Sequence, residues 1–261
     1  MRLIVYALLL LVSACQFQSP KEQTPDTRTT SSAPIHLAAA HWVAPKLLLV
    51  DSQYSQPPLR LINHNNSQLA DKSLNLTPVE LPPAIKEQLP HLSNFDAFSI
   101  KVSSDEIKSL IKQPLAVLSG EKSSVQEQGT RVQTALLLDA LYTSAANDAD
   151  EVTDFGATIL ADKVKFKLWA PTALSVEILL FDRDKQPLTP AKLAMTEDAS
   201  TGIWSASGDK TLSGQYYQYQ IKIYHSASEK IEQIITTDPY SLSLSTNSQY
   251  SQVIDLNDPN T

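Results

Sequence analysis

The sequence predicts a mainly β fold made of two modules, with a few short helices in the first module and a β-sandwich as the second. Two observations support this prediction. Apolar and polar residues alternate with period two along several short runs in the second half of the chain, as they do in half-buried strands. Glycine, proline and aspartate separate these runs at intervals of about ten residues, which is typical of sandwiches.

The N-terminus has the pattern of an export signal with a lipid attachment site, predicted over residues 1–14. A ten-residue apolar run follows Arg2, and a helix needs about twenty residues to span a bilayer. Leu11-Val-Ser-Ala-Cys15 resembles the bacterial lipobox, which implies that Cys15 carries the lipid. The next residue is Gln16 rather than Asp, and by the same resemblance this favours the outer membrane. An ordinary signal peptide with an incidental cysteine is the alternative.

Residues 15–35 are predicted to be a disordered tether. They are rich in Ser, Thr, Gln and Pro and contain almost no large apolar side chains, so they cannot bury enough surface to fold. Cys15 is the only cysteine of the chain, which excludes an internal disulfide.

The first folded module is predicted over residues 36–148. Two apolar runs, 46–50 and 59–62, are expected to form a strand-turn-strand unit. Pro78, Pro82, Pro83 and Pro90 are expected to break the next segment into extended pieces. Helical spacing predicts one helix over 105–112, capped by Ser103 or Ser104, and another over 133–146.

The second module, the sandwich, is predicted over residues 149–246. Val164, Phe166 and Leu168 alternate with lysines, and Tyr217 and Tyr219 begin a similar alternating run. These apolar positions are expected to face the core of the sandwich.

Charge and motif content exclude several functions. The formal net charge is −7, and no cluster of Lys and Arg suits a phosphate backbone, so nucleic acid is not an expected partner. No nucleotide-binding or nucleophile motif is present, and no cofactor is predicted. Among the five histidines only His36 and His41, five residues apart, approach ligand spacing, and such a pair is usually incidental. The folded part has no cysteine, so no metal site is predicted.

Five segments resemble, in order, the module that precedes the catalytic barrel in bacterial pullulanases of glycoside hydrolase family 13. They are Val164-Lys-Phe-Lys-Leu-Trp-Ala-Pro-Thr-Ala173, Gly202-Ile-Trp204, Gly214-Gln-Tyr-Tyr-Gln-Tyr219, Asp238-Pro-Tyr240 and the run 243–255. The resemblance implies an immunoglobulin-like domain of carbohydrate-binding module family 48. It also implies that 36–148 is a pullulanase N-terminal module and that 247–261 leads into a catalytic barrel that this sequence does not contain.

Three aromatic residues are candidates for stacking against a glucan: Trp169, Trp204 and Tyr216. Trp169 and Tyr216 lie on the polar faces of their predicted strands, and Trp204 follows a turn glycine. Packing inside the module or against a neighbouring domain is the alternative for each tryptophan. Tyr217 and Tyr219 are expected to be core residues.

These observations favour the non-catalytic N-terminal part of a pullulanase-type lipoprotein, which supports a barrel that breaks down starch, glycogen or pullulan. Retaining glycosidases need two carboxyl groups about 5 Å apart, and no stretch resembles the catalytic motifs of the family, so no catalytic residue is predicted. The rival hypothesis is a stand-alone surface lipoprotein that binds α-glucan. A scaffolding lipoprotein without a ligand is a third.

Overall fold

The structure, a computed structural model, describes Ile35 and residues 37–63, 73–120, 128–144, 148–226 and 228–256. Over these residues it is mainly β, with three short α-helices, and the predicted fold class is confirmed. Cys15 and the predicted signal peptide lie outside the described residues, as does the predicted tether except for Ile35. No helix in the described ranges is long and apolar enough to cross a membrane.

The first seven strands close into a barrel. They are β1 (Ala40–Ala44), β2 (Leu47–Val50), β3 (Leu59–Asn63), β4 (Leu74–Val79), β5 (Asp96–Ile100), β6 (Leu115–Ser119) and β7 (Gln128–Gln133). Their order around the barrel is β1-β2-β5-β4-β3-β6-β7. Neighbours are antiparallel except for the closing pair, β1 and β7, which is parallel. Closure leaves this sheet without a free edge.

The runs 46–50 and 59–62 contain strands with a turn between them, as the sequence predicts, but the two strands do not pair with each other. Strand β2 pairs with β1 and β5, and β3 pairs with β4 and β6. Between them a 3₁₀ turn at Ser52–Tyr54, capped by Asp51, leads the chain to another part of the barrel.

Strands β2, β3 and β6 are buried on both faces. Inside the barrel, large side chains form the core, among them Trp42, Leu48, Leu61, Phe98 and Val117. Outside it, two smaller clusters cover the sheet: Ile35 packs with residues of β3 and β6, and Leu92 packs with residues of β2 and β5. A continuous apolar run therefore suits these strands better than alternation does.

The helices α1 (Pro83–Gln88), α2 (Ser104–Leu110) and α3 (Ala135–Tyr142) connect and cover the strands. Helix α2 begins where the sequence predicts, because Ser103 and Glu106 form a reciprocal capping box. Helix α3 is shorter than the predicted 133–146. The expectation of extended pieces fails at Pro83, which begins α1 at the position where a missing N–H costs nothing.

The remaining strands form a two-sheet sandwich. They are β8 (Gly156–Ile159), β9 (Lys163–Trp169), β10 (Ala173–Phe181), β11 (Pro187–Ala194), β12 (Thr196–Asp198), β13 (Ile203–Asp209), β14 (Tyr216–His225), β15 (Lys230–Thr236) and β16 (Ser251–Gln252). The small sheet has the order β12-β13-β9-β8. The large sheet has the order β11-β10-β14-β15, with β16 added to β14.

The core of the sandwich consists of the side chains that the alternating pattern assigns to it. Val164, Phe166 and Leu168 face inward from β9, and Tyr217 and Tyr219 face inward from β14, with no exposed surface on either tyrosine. The predicted module boundary at 148/149 falls between α3 and β8.

Candidate functional site

Trp169 lies at the end of β9 on the outer face of the small sheet, half-buried against the core of the barrel. Its neighbour across the strands is Ile203, and its indole N–H donates to the carbonyl oxygen of Thr201 at 3.0 Å. The barrel covers this part of the sheet. This placement favours the packing role for Trp169.

Trp204 lies on the inner face of the small sheet, opposite Leu168, and only 6% of its surface is exposed. Its indole N–H donates to the carbonyl oxygen of Ala170 at 3.0 Å. The ammonium group of Lys112 sits 5.6 Å from the ring centroid and forms an ion pair with Glu197. Because the indole is almost fully buried in the sandwich core, it offers no free face to a sugar ring, and the geometry favours packing for Trp204 as well.

Tyr216 is the predicted candidate that stays accessible. It lies on the outer face of the large sheet, half-buried, directly opposite Phe181 of β10. The ring of Tyr250 lies 6.2 Å from Tyr216 and 5.0 Å from Phe181, centroid to centroid. We call Phe181, Tyr216 and Tyr250 the aromatic cluster. The ammonium group of Lys185 is 5.1 Å from the ring centroid of Tyr216, within the range of a cation–π contact.

Two hydrogen-bonding side chains lie at Gly214, two residues before Tyr216. Gly214 has φ = 78°, and a Cβ built on it would lie 2.9 Å from a guanidinium nitrogen of Arg183. The side-chain amide of Gln252 donates to the carbonyl oxygen of Gly214 at 3.2 Å. Half-exposed aromatic faces with nearby donors suit a carbohydrate, which presents apolar ring faces and hydroxyl groups.

Phe181 and Tyr250 were not among the residues predicted from the sequence. Phe181 lies on the same outer face as Tyr216, and strand parity alone assigns it there. Tyr250 precedes β16, which pairs with the start of β14, and nothing in the local sequence specifies that pairing.

Asp238 is the one buried carboxylate in the part of the chain that the structure describes, with 4% of its surface exposed. Its Oδ2 accepts hydrogen bonds from the hydroxyls of Tyr217 at 2.7 Å and Tyr219 at 3.0 Å. Its Oδ1 accepts from the backbone N–H of Tyr240, and its own N–H donates to Oγ of Ser251. These bonds fix the start of the segment that follows β15.

The Asp238 network is structural in character. Burial raises the pKa of Asp238 above its ordinary 3.8, and the hydrogen bonds it accepts oppose this rise. Burial, reinforced by the Asp238 charge, raises the pKa of Tyr217 and of Tyr219 well above 10. The side-chain partners of Asp238 are tyrosines rather than a second carboxylate, so it does not supply the acidic pair of a retaining glycosidase. Within the described ranges no group of three or more His, Cys, Asp or Glu side chains suits a metal ion.

After β15 the chain exposes several large apolar side chains. Tyr240 is 39% exposed, Leu242 68%, Leu244 44% and Leu256 66%. We call these four residues the C-terminal patch. The backbone around Leu242 and Leu244 is held by hydrogen bonds between Ser243 and Gln252 and between Ser245 and Tyr250. This segment is therefore ordered by its own bonds while its leucines remain in solvent.

Comparison with known proteins relates both modules to one group of enzymes. Residues 37–140 match the Pullulanase N2 domain, and residues 154–241 match carbohydrate-binding module 48, the isoamylase N-terminal domain. The pullulanase of Klebsiella pneumoniae is 36% identical over 232 residues, which are 86% of this chain and 21% of that protein. The chloroplastic pullulanase 1 of Arabidopsis thaliana is 30% identical over 178 residues, which are 67% of this chain and 17% of that protein.

Solved structures give the same relationship. PulA of Klebsiella oxytoca has a TM-score of 0.78 and 35% identity, over 87% of this chain and 22% of that one. A mutant of PulA from Klebsiella pneumoniae, in complex with maltotriose, has a TM-score of 0.78 and 35% identity, over 87% of this chain and 25% of that one. The chain spans about a fifth of the length of the curated Klebsiella relatives.

Proposed function

This chain carries a Pullulanase N2 domain followed by a carbohydrate-binding module 48, the domains of the N-terminal region of pullulanases, and on this premise we propose that it is the non-catalytic N-terminal part of a pullulanase-type lipoprotein. Its role is to support and orient a catalytic barrel that hydrolyses α-1,6 bonds in starch, glycogen or pullulan. The Klebsiella relatives are about four times as long as this chain, which supports the idea of a further catalytic region.

The C-terminal patch is the observation that carries this proposal. Isolated exposed leucines are normal, but several large apolar side chains exposed along one short segment are typical of interaction surfaces. Leu242 and Leu256 each expose about two thirds of their surface. The backbone hydrogen bonds of this segment do not require apolar side chains at these positions, so polar residues would be tolerated there equally well. A catalytic barrel packed against this segment would remove that surface from water.

The test is a chimera in which residues 37–256 replace the matching segment of the Klebsiella pneumoniae pullulanase. We expect the chimera to hydrolyse pullulan, and the isolated chain to release no reducing sugar. Replacing Leu242, Leu244 and Leu256 together by serine should lower the thermal inactivation temperature of the chimera. Leu37→Ser is the matched control, because Leu37 is 59% exposed and lies far from this segment in the sequence. Turnover by the isolated chain, or equal effects of the patch and control variants, would contradict the proposal.

Binding of α-glucan at the aromatic cluster is a second candidate function. It is favoured by the half-exposed rings of Phe181, Tyr216 and Tyr250 and by the cations of Arg183 and Lys185 beside them. Gel electrophoresis through amylopectin tests it: the chain should be retarded, and Tyr216→Ala should abolish retardation while Tyr224→Ala, near the other end of β14, should not. Equal mobility with and without amylopectin would contradict glucan binding, and only the scaffolding role would remain.

The lipid anchor is a separate part of the proposal. Export, acylation at Cys15 and residence in the outer membrane are supported by the lipobox resemblance and by Gln16. Metabolic labelling with radioactive palmitate should mark the intact chain and not the Cys15→Ser variant. Fractionation on a sucrose gradient then distinguishes outer from inner membrane. Equal labelling of both forms would contradict attachment at Cys15.

A further inference from the structure

The barrel and the sandwich share an apolar contact that is as well buried as either core. Tyr142, at the end of α3, is 1% exposed, and Ile203, on the outer face of the small sheet, is 6% exposed. Both belong to the cluster that fills the barrel, with Trp169 packed against it. Ile203 points away from the core of its own sandwich, so its burial comes from the barrel together with its cross-strand neighbour Trp169.

The backbone next to this contact is tightly packed. Gly202 has φ = 69°, and a Cβ built on it would lie 3.4 Å from Cε1 of Tyr142 and 2.6 Å from Cβ of Pro171. Burial, together with the nearby charge of Glu197 in β12, raises the pKa of Tyr142 to about 12. The phenol of Tyr142 therefore stays neutral at the junction at any physiological pH.

Lys108 lies on α2 and Lys112 lies two residues after the end of α2. Both side chains reach across to the sandwich. Lys108 donates to the carbonyl oxygen of Ala199 at 2.6 Å, and its ammonium lies 5.5 Å from the ring centroid of Tyr142. Lys112 pairs with Glu197 above the ring of Trp204. These polar contacts surround the apolar one, as a rim surrounds the core of an interface.

A second tie lies on a different element of the sandwich. Arg131 of β7 donates to the carbonyl oxygen of Ser226 at 3.2 Å and forms an ion pair with Glu229, both in the turn between β14 and β15. Its Nε also donates to the carbonyl oxygen of Ile35 at 3.0 Å. The barrel therefore contacts the small sheet at Ile203 and the β14–β15 turn through Arg131. Two separate contacts oppose rotation of the sandwich relative to the barrel about either contact.

We propose that the barrel and the sandwich form one rigid, cooperatively unfolding body that is clamped at Ile203 and at Arg131. Interfaces between domains of one chain are usually polar, and relative motion is the default unless the interface is hydrophobic and well buried. This one is apolar at its centre. The clamp holds the aromatic cluster at a fixed orientation to the barrel, and it depends neither on a catalytic domain nor on glucan binding.

Pulse-labelling hydrogen exchange with mass spectrometry, measured across a urea series, reports the unfolding of each module in the unmodified chain. We expect peptides containing β6 and peptides containing β10 to show the same urea midpoint. Distinct midpoints in the wild-type chain would overturn the proposal, whatever the behaviour of any variant.

The double variant Ile203→Lys, Arg131→Ala tests the assignment of the clamp. Ile203 reaches the barrel cluster from the sandwich, and the side chain of Arg131 is partly exposed, so the core residues on each module's own strands are unchanged and the two midpoints should separate. Ser207→Lys is the control, because Ser207 lies on the same face of β13 as Ile203 but is exposed, and it should leave a single midpoint. Midpoints that still coincide in the double variant would refute the role of these two contacts.

Discussion

Tyr217 donates its hydroxyl hydrogen to Oδ2 of Asp238 across 2.7 Å, and this bond joins the second-last strand of the large sheet to the start of the C-terminal segment. Both groups are buried, so neither has water as an alternative partner. The C-terminal patch begins at Tyr240, two residues after Asp238. The bond therefore fixes the position of the backbone just before the patch.

Asp238→Ala should lower the free energy of unfolding by about 3 kcal/mol or more. The substitution leaves the hydroxyls of Tyr217 and Tyr219 and the N–H of Tyr240 without their acceptor, and each buried unpaired group costs about 1 to 3 kcal/mol. Urea unfolding followed by circular dichroism measures the loss. Asp162→Ala, at an exposed position, should change stability by less than about 0.5 kcal/mol. Equal losses of stability in the two variants would show that the hydrogen bonds of Asp238 contribute no more to stability than an exposed carboxylate does.

The charge on Asp238 should make the protein less stable as the pH rises. Burial raises the pKa of this carboxyl above 3.8 in the folded protein, so the folded state binds the proton more tightly than the unfolded state does. The stabilisation that this tighter proton binding gives the folded state is present below about pH 4, and it is lost as the pH rises through the pKa of Asp238 in the folded protein. From pH 4 to pH 7, the unfolding free energy of wild type should therefore fall relative to that of Asp238→Asn, because the asparagine side chain does not ionise. A shift in favour of wild type would contradict the raised pKa.

Much of the sandwich was predictable because one-sided burial leaves a direct trace in the sequence. Val164, Phe166 and Leu168 alternate with lysines, and their strand has the predicted faces. The barrel left no such trace. Its strands β2, β3 and β6 are buried on both sides, and its closing pair joins β1 to β7 from opposite ends of the module. Pairing over that distance depends on the whole fold rather than on a local pattern.

The candidate site was predictable only in part, for a related reason. Parity assigned Trp169 and Tyr216 to the outer faces of their sheets, and both lie there. Parity does not distinguish a face covered by another module from a face in solvent, and only the first applies to Trp169. The partners of Tyr216 come from β10 and from the loop before β16, so the register of three strands had to be known to assemble the cluster.

Gly202→Ala should cost about 2 kcal/mol or more, whereas Gly208→Ala should cost about half as much or less. At Gly202 the backbone has φ = 69°, and the new Cβ would meet Pro171, a rigid ring, at 2.6 Å. At Gly208 the Cβ would meet the terminal methyl of the buried Leu212 side chain, which can shift at a lower cost than a proline ring or a strained backbone. Thermal unfolding of the two variants measures the difference. A larger loss at Gly208 would contradict the argument from backbone conformation.

Trp204→Ala should destabilise the chain by about 3 to 5 kcal/mol, because it empties the volume of a buried indole and leaves the carbonyl of Ala170 with the backbone N–H of Ala173 but without its indole donor. Trp204→Phe should cost less, since a ring still fills the site beneath Lys112. If Trp204 only packs, then Trp204→Phe keeps whatever retardation the wild type shows in an amylopectin gel, while Tyr216→Ala loses it with an unchanged urea midpoint. Loss of retardation in Trp204→Phe at wild-type stability would instead return Trp204 to the glucan site and require Lys112 to move aside on binding.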